Sequence, residues 1–300
     1  MLYLIAALSL LAIRLPAQSG NAFVGAEACR PCHAKQFTLQ SLSGHARALQ
    51  PGGPQADWAF GSGTHAITWV KQKDARHYLE LGQSWFRRTD RMALTPGHTD
   101  SAGVTYRLFD SGAQILRCFS CHSTGPLEVS EAGVIQPHEA GVRCEVCHGP
   151  GQRHITSQGT KYSIENPARY SAKAVNESCG ACHRQSKPGV SETDWSDAWN
   201  IRHQPVYLAE SRCFLRSEGK LSCLSCHQPH EKLNQDATAY NAQCAACHPK
   251  PKHLSFGQQT GNREACTTCH MPKIAASPDI AFTNHWIGVY PGKSKLRPRR

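Results

Sequence analysis

The pattern Cys-x-x-Cys-His recurs seven times and constrains this chain more than any other feature. The copies are Cys29–His33, Cys118–His122, Cys144–His148, Cys179–His183, Cys223–His227, Cys244–His248 and Cys266–His270. The pattern is typical of c-type haem attachment, in which two thiols add across the vinyl groups of one haem and the next residue, His, ligates the iron. One copy would be weak evidence, because Cys-x-x-Cys also binds zinc or exchanges disulfides. Seven copies predict seven covalently attached haem c groups.

Each copy supplies two attaching cysteines and one proximal histidine. The cysteines are Cys29, Cys32, Cys118, Cys121, Cys144, Cys147, Cys179, Cys182, Cys223, Cys226, Cys244, Cys247, Cys266 and Cys269. The proximal histidines are His33, His122, His148, His183, His227, His248 and His270.

The cysteine count argues against the other uses of thiols. Of 15 cysteines, only Cys213 lies outside the motifs. A disulfide framework would not demand His after every pair, and zinc sites built from two pairs each would leave one of seven pairs unused. Cys213 is interpreted as a plain buried thiol, with a reactive or iron-ligating thiolate as the alternative.

The N-terminus predicts export. An apolar run from Leu2 to Ile13 is too short to span a bilayer and is followed by Arg14, Pro16 and Ala17. This is typical of a signal peptide over residues 1–17, although no basic residue precedes the run; an uncleaved membrane anchor is the alternative. The mature protein is therefore expected in the periplasm or outside the cell.

The formal charge of +11 raises the question of a nucleic-acid partner. Seven haems would bring about fourteen ionised propionates, which offset most of this charge. The chain also lacks aromatic–basic interleaving and any known nucleic-acid module. We therefore expect no nucleic-acid partner.

Motif spacing predicts the fold class and the domains. From Cys118 onward the motifs start 21 to 44 residues apart, which leaves room for one short helix and one loop per haem. We expect a mainly α, haem-packed protein with much irregular loop, including a helix from His33 to Leu42. The predicted parts are residues 18–116, with haem 1, and residues 117–300, with haems 2–7.

A haem-free stretch predicts a small antiparallel β insert near residues 60–110. Ala66–Val70 and His77–Leu81 are rich in β-branched and aromatic residues, and Gln72–Ala75 is a plausible turn between them. Val104–Phe109 alternates as a further strand. The insert is expected to cover a haem face or to form a docking surface.

The sixth iron ligand decides the function. A haem bound by two histidines suits electron transfer, whereas an open haem binds and reduces a small molecule. Ten histidines lie outside the motifs, and seven of them are predicted distal ligands: His45, His98, His154, His203, His230, His253 and His285. His65, His77 and His138 are interpreted as surface or structural imidazoles, with His65 as the first replacement.

Several extended motifs resemble a known family. They are Cys29–His33 with Ser43–Ala46, Gly141–Gly151 with His154, Leu221–His230, Cys266–Lys273, and Phe282–Trp286. These segments are similar to exported bacterial multihaem cytochromes c of the cytochrome c-552/554 type; the strand-rich insert is outside the resemblance. The resemblance implies histidine ligands from the extra motifs and electron transfer between closely stacked haems.

The sequence thus predicts a seven-haem electron carrier of the periplasm or cell exterior, and no catalytic residue is assigned. Its expected partners are redox proteins, with association to a membrane or to other multihaem cytochromes also considered. One alternative is a multihaem reductase of a small nitrogen or sulfur oxyanion. Another is a subunit of a polymeric or membrane-associated electron conduit.

Overall fold

The computed structural model describes residues 20–98, 106–110, 112, 114–160, 162–184, 194–249, 265–292 and 295–299. The predicted signal peptide, the predicted ligand His253 and the first residues of the predicted strand at Val104 lie outside the described residues.

The described residues form short helices and strands. The α-helices are α1 (Ala34–Ser41), α2 (Gln114–His122), α3 (Cys144–His148), α4 (Gln152–Thr156), α5 (Ala172–His183), α6 (Gln204–Ala209), α7 (Arg212–Arg216), α8 (Asn241–Ala245) and α9 (Cys266–His270). The strands are β1 (Leu49–Pro51), β2 (Trp58–Phe60), β3 (Ala66–Asp74), β4 (His77–Phe86), β5 (Arg91–Leu94), β6 (Tyr106–Asp110), β7 (Ser123–Val129), β8 (Ile135–Ala140), β9 (Lys273–Ala275) and β10 (Ala281–Thr283).

The prediction of a mainly α fold is wrong. Helix accounts for 33% and strand for 21% of the described residues, and several antiparallel sheets are present. Most helices are only one or two turns long, and α2, α3, α5 and α9 each end at the histidine of a motif. Strand β7 begins directly after His122, where a loop was expected.

The largest sheet has six strands. Five follow the order β1-β2-β3-β4-β5, and β6 also pairs with β4, along the edge that β5 occupies. The two strands predicted around residues 66–81 are present as β3 and β4, and both are longer than expected. Hydroxyl groups cross this sheet: Ser84 lies 2.7 Å from Thr68 and 2.8 Å from Thr95 between oxygens. β7 pairs with β8, and β9 with β10.

Two buried clusters connect the sheet to the motifs. The first joins the end of β4 to the C-terminal region through Phe86, Ile201, Tyr207, Phe282 and Trp286. The second packs the sheet against α2 and so against the second motif. Its buried members are Leu49, Val70, Tyr78, Ile115, Phe119 and Ile135, with Cys118 packed at their border. The sheet is therefore integrated with the motif-bearing regions on both sides.

No helix within the described ranges is both long enough and apolar enough to span a bilayer.

Candidate haem sites

Each motif folds as a helical turn, which explains the spacing of its residues. In the first motif the backbone N–H of His33 donates to the carbonyl of Cys29 at 3.0 Å, and His227 and Cys223 repeat this contact at 3.0 Å. Positions i, i+3 and i+4 lie on one face of such a turn. Both thiols and the imidazole can therefore reach one haem. The sites are numbered 1 to 7 in chain order.

Four motif histidines face a second imidazole from a distant part of the chain. The pairs and the distances between ring centres are His33 with His154 at 6.3 Å, His183 with His45 at 6.1 Å, His148 with His230 at 6.0 Å, and His227 with His285 at 6.2 Å. All four second members are among the predicted distal ligands.

The spacing of these pairs fits one iron between two imidazoles. Metal–nitrogen bonds of about 2 Å on both sides place the two ring centres roughly 6 Å apart. The angle between the two ring planes varies from 6° to 67°. Bis-imidazole ligation permits this range, because a ring can rotate about the metal–nitrogen bond that lies in its own plane. With two thiols beside each motif histidine, the donor set fits haem c, whose iron supplies one-electron chemistry when bound.

Backbone carbonyls orient several of these rings. The Nδ1 atoms of His122, His148 and His270 lie 2.9, 2.8 and 2.9 Å from the carbonyl oxygens of Ala48, Glu165 and Gly288. His285 makes the same contact with Thr283 at 3.0 Å. A hydrogen bond at Nδ1 fixes the tautomer and leaves Nε2 to ligate the metal.

The motifs touch each other in pairs through their first cysteines. Cys29 lies close enough to Cys144 to interact with it, which lowers the pKa of Cys144 to about 7. Cys223 interacts with Cys179 and lowers the pKa of Cys179 to about 7. The first attachment cysteines of sites 1 and 3 are therefore neighbours, as are those of sites 4 and 5.

Sites 5, 6 and 7 continue this arrangement. Burial and the neighbouring thiols of Cys266 and Cys226 raise the pKa of Cys244 to about 11. Site 6 therefore adjoins site 7 on one side and site 5 on the other. Cys213 lies in the same region, where burial raises the pKa of its thiol and Cys247 is close enough to interact.

Site 4 has contacts with three other motifs. Burial and the nearby thiols of Cys121 and Cys147 raise the pKa of Cys182 to about 12. These thiols belong to sites 2 and 3, and the first cysteine of site 5 contacts Cys179.

A buried carboxylate ties the N-terminal segment to site 3. Glu145, only 2% exposed, accepts backbone hydrogen bonds from Val24 at 2.9 Å, Gly25 at 2.8 Å and Gly151 at 2.7 Å. Because Glu145 lies inside the motif between Cys144 and Cys147, these bonds help to bring sites 1 and 3 together. Sequence reasoning missed this role, since a motif residue of type x carries no signal of its own.

Gly141 brings the same motif close to the segment of His45. Its φ is +82°, and a Cβ atom there would lie 2.0 Å from the carbonyl oxygen of Ala46. The next residue, Val142, donates its N–H to the carbonyl of His45 at 2.9 Å. Only glycine permits this approach.

The other predicted or considered histidines have different surroundings. His98, whose side chain is 1% exposed, places Nε2 at 2.9 Å from Glu80 Oε2. His77 pairs with Asp74 at 2.9 Å, and His138 packs against Phe23.

Two further imidazoles have surroundings compatible with a ligand. The Nε2 atom of buried His203 has no hydrogen-bond partner among the described residues. His65 packs on Phe282, and burial together with Lys273 lowers its pKa.

Two cavities adjoin motif histidines. One of about 350 Å³ is lined by His148, Arg153, Glu165 and Tyr170 among others. The second, of about 250 Å³, is lined by Cys182, His183, Arg184, Arg202, His203 and Gln204. Sequence reasoning missed Arg184 and Arg202, because their proximity depends on the packing of segments that are distant along the chain.

Comparisons with known proteins agree with this site chemistry. A family model described as cytochrome c554 and c-prime matches residues 87–149, which include sites 2 and 3. The multiheme cytochrome MtrA of Shewanella baltica (strain OS185) is 27% identical over 146 residues, covering 44% of this chain. The alignment spans 36% of MtrA, so this chain matches about a third of that relative.

Two solved structures share the fold. The outer cell wall cytochrome OcwA has a TM-score of 0.58 at 17% identity, over 88% of this chain and 79% of that chain. The undecaheme cytochrome from the S-layer of Carboxydothermus ferrireducens has a TM-score of 0.50 at 17% identity, over 90% of this chain and 52% of that chain.

The motif turns, the paired imidazoles and the shared fold define a protein that carries haem c at several sites. This chain is a multihaem c-type cytochrome.

Proposed function

We propose that this protein carries seven haem c groups with two histidine ligands each and transfers electrons between redox partner proteins. The observation that carries the proposal is the set of four imidazole pairs with ring centres 6.0 to 6.3 Å apart. Iron held by two histidines has no open position for a substrate, and it changes charge by one electron without exchanging ligands. This favours an electron carrier over a reductase.

Three motif histidines remain to be paired, and three histidines are assigned to them. We assign His65, His203 and His253 to the motif histidines His122, His248 and His270 as a group. His65 and His203 qualify because their rings make no side-chain hydrogen bond within the described ranges. His98 is assigned a structural role instead, since Glu80 occupies its Nε2 atom.

The cysteine contacts support an order for electron transfer. The first cysteines adjoin in three pairs of sites: 1 and 3, 4 and 5, and 6 and 7. Cys147 of site 3 interacts with Cys182 of site 4, and Cys226 of site 5 interacts with Cys244 of site 6. The proposed route therefore runs through sites 1, 3, 4, 5, 6 and 7. Site 2 joins at site 4 through Cys121 and Cys182.

We further propose that the protein works in the periplasm or outside the cell after removal of residues 1–17. The two structurally similar cytochromes are described as an outer cell wall protein and an S-layer protein. In addition, c-type haem is attached outside the cytoplasm. Its proposed partners are other redox proteins, including other multihaem cytochromes, and nucleic acid is not among them.

Mass spectrometry and electron paramagnetic resonance of the purified protein test the proposal. The expected results are seven covalent haems per chain, only low-spin ferric signals, and no spectral change with cyanide or nitrite. Fewer than seven haems would contradict the count. A high-spin signal from one haem in seven, shifted by nitrite, would contradict the electron-carrier assignment and favour a reductase.

A further inference from the structure

Site 4 has several neighbouring sites. Its helix α5 holds the site 5 motif through Asn176, which accepts the backbone N–H of Cys223 at 2.9 Å and donates its side-chain amide to the carbonyl of Leu221 at 3.2 Å. Its Cys182 also interacts electrostatically with Cys121 of site 2 and Cys147 of site 3. An electron on any of these neighbours can reach site 4 directly. The reduction potential of site 4 therefore affects how electrons are distributed among sites 2, 3, 4 and 5.

Two arginines lie next to this junction. Arg184 directly follows the motif histidine His183, and Arg202 lines the same cavity of about 250 Å³. The six lining residues include no carboxylate. Both residues line one cavity with the motif histidine His183, so two positive charges lie near site 4.

Among the described residues, neither guanidinium forms an ion pair. Arg202 stacks on the ring of Trp199 at 5.8 Å. Asp197 interacts with Arg202 electrostatically, but its carboxylate accepts the backbone N–H of Trp199 at 2.9 Å. Asp197 therefore offsets only part of the charge of two arginines.

Fixed positive charge near a haem favours its ferrous form. Reduction removes one unit of positive charge from the iron core, so a nearby cation is repelled less after the electron arrives. Both arginines are exposed, and water weakens the effect without changing its sign.

We propose that Arg184 and Arg202 raise the reduction potential of site 4. This rests on the proposed electron-transfer function. In the step concerned, a ferrous neighbour at site 2, 3 or 5 gives one electron and becomes ferric, while site 4 becomes ferrous. The two arginines are positioning residues, because they act on the electron through charge and do not ligate iron.

The test is a spectroscopic redox titration of the whole haem-loaded protein. In the double variant Arg184→Gln/Arg202→Gln, one seventh of the absorbance change is expected to move to lower potential. At a fixed potential the ferrous-to-ferric ratio of that haem should fall about tenfold, or about 59 mV. Arg202→Lys should keep most of the original potential, and Arg76→Gln, in the turn before β4, should change nothing.

Two outcomes would overturn the proposal: a titration curve that is unchanged by the double variant, or an equal shift of all seven haems. The haem that shifts is identified with His45→Met, which gives site 4 a His/Met pair with its own ferric absorption band. Movement of a different haem also contradicts the proposal. The haem count and spin state of the unaltered protein test the proposed function separately, so the two failures are distinguishable.

Discussion

The imidazole rings of His148 and His230 lie parallel, with 6° between their planes and 6.0 Å between their centres. His148 belongs to site 3, and His230 follows the site 5 motif by three residues. In the proposed ligation, the site 5 segment therefore supplies the sixth ligand of site 3. This couples the folding of the two segments, since the site 3 iron would be fully ligated only when both are in place.

Replacing His230 by Ala should open one iron. We expect one high-spin ferric haem in seven and one carbon monoxide bound per reduced molecule, because the sixth position becomes free. Haem content should stay at seven, since Cys144 and Cys147 remain. Electron paramagnetic resonance and carbon monoxide titration measure these changes. His77→Ala is the matched control, because His77 pairs with Asp74 and should not affect any iron. An entirely low-spin H230A protein would contradict the pairing.

Replacing Glu145 by Gln should loosen the N-terminal segment. The carboxylate accepts N–H groups from Val24, Gly25 and Gly151, and a neutral amide accepts them more weakly. We expect a loss of about 2–3 kcal/mol of local stability. Hydrogen exchange at Val24 and Gly25 should therefore accelerate roughly 30-fold or more. Glu27→Gln serves as the control, because its pair with Arg30 is exposed and the change should leave exchange nearly constant.

The sequence carried the local chemistry of the sites but not their pairing. A Cys-x-x-Cys-His turn is determined by five residues, and all its donors lie on one helical face. The distal ligand is different, because His154 faces His33 across more than a hundred residues of chain. The sequence predicted His154 as a ligand because it follows a turn after a motif. Which motif histidine it faces could be seen only in the folded structure.

The same limit explains the errors in the fold. The strands β3 and β4 carry a strong local pattern and were foreseeable. β7 contains Gly125 and Pro126, which normally disfavour strand; they lie in a register irregularity between Thr124 and Leu127, and the residues on both sides pair with β8. The sequence also contained no sign of the contact between His98, one of the predicted ligands, and Glu80, because this contact depends on how β4 meets the loop after β5.

Replacing His98 by Ala separates a structural role from ligation. The His98 side chain is 1% exposed and that of Glu80 is 14% exposed. The variant therefore leaves the largely buried Glu80 carboxylate without its His98 partner. We expect a loss of about 3 kcal/mol, or an unfolding temperature lower by roughly 6–12 °C. The spin state of every haem should stay low. His98→Gln should lose less because its amide can still donate to Glu80. A new high-spin signal in H98A would show that His98 ligates an iron.

Removing Arg91 should make stability depend less on pH. Asp279 Oδ1 lies 2.7 Å from both Arg91 Nε and Thr89 Oγ1, and these groups hold the pKa of Asp279 below its usual 3.8. A carboxyl with a lowered folded pKa contributes stability above its unfolded pKa, and this is lost as the pH falls through the folded pKa. We therefore expect Arg91→Gln to unfold about 1–3 °C below the unaltered protein at pH 7, with the gap narrowing as the pH falls below 3.8.

The comparison of the two proteins at each pH is essential to this test, because protonation of ligating histidines destabilises both in acid. Thermal unfolding of the haem-loaded proteins at pH 7, 5 and 3 provides the measurement. Arg76→Gln removes an exposed arginine from the turn before β4 and should show no gap at any pH. A gap for Arg91→Gln that persists unchanged at pH 3 would mean that the guanidinium stabilises β5 by packing and not through its charge on Asp279. The ion pair would then not be what joins the edge of the sheet to the segment between β9 and β10.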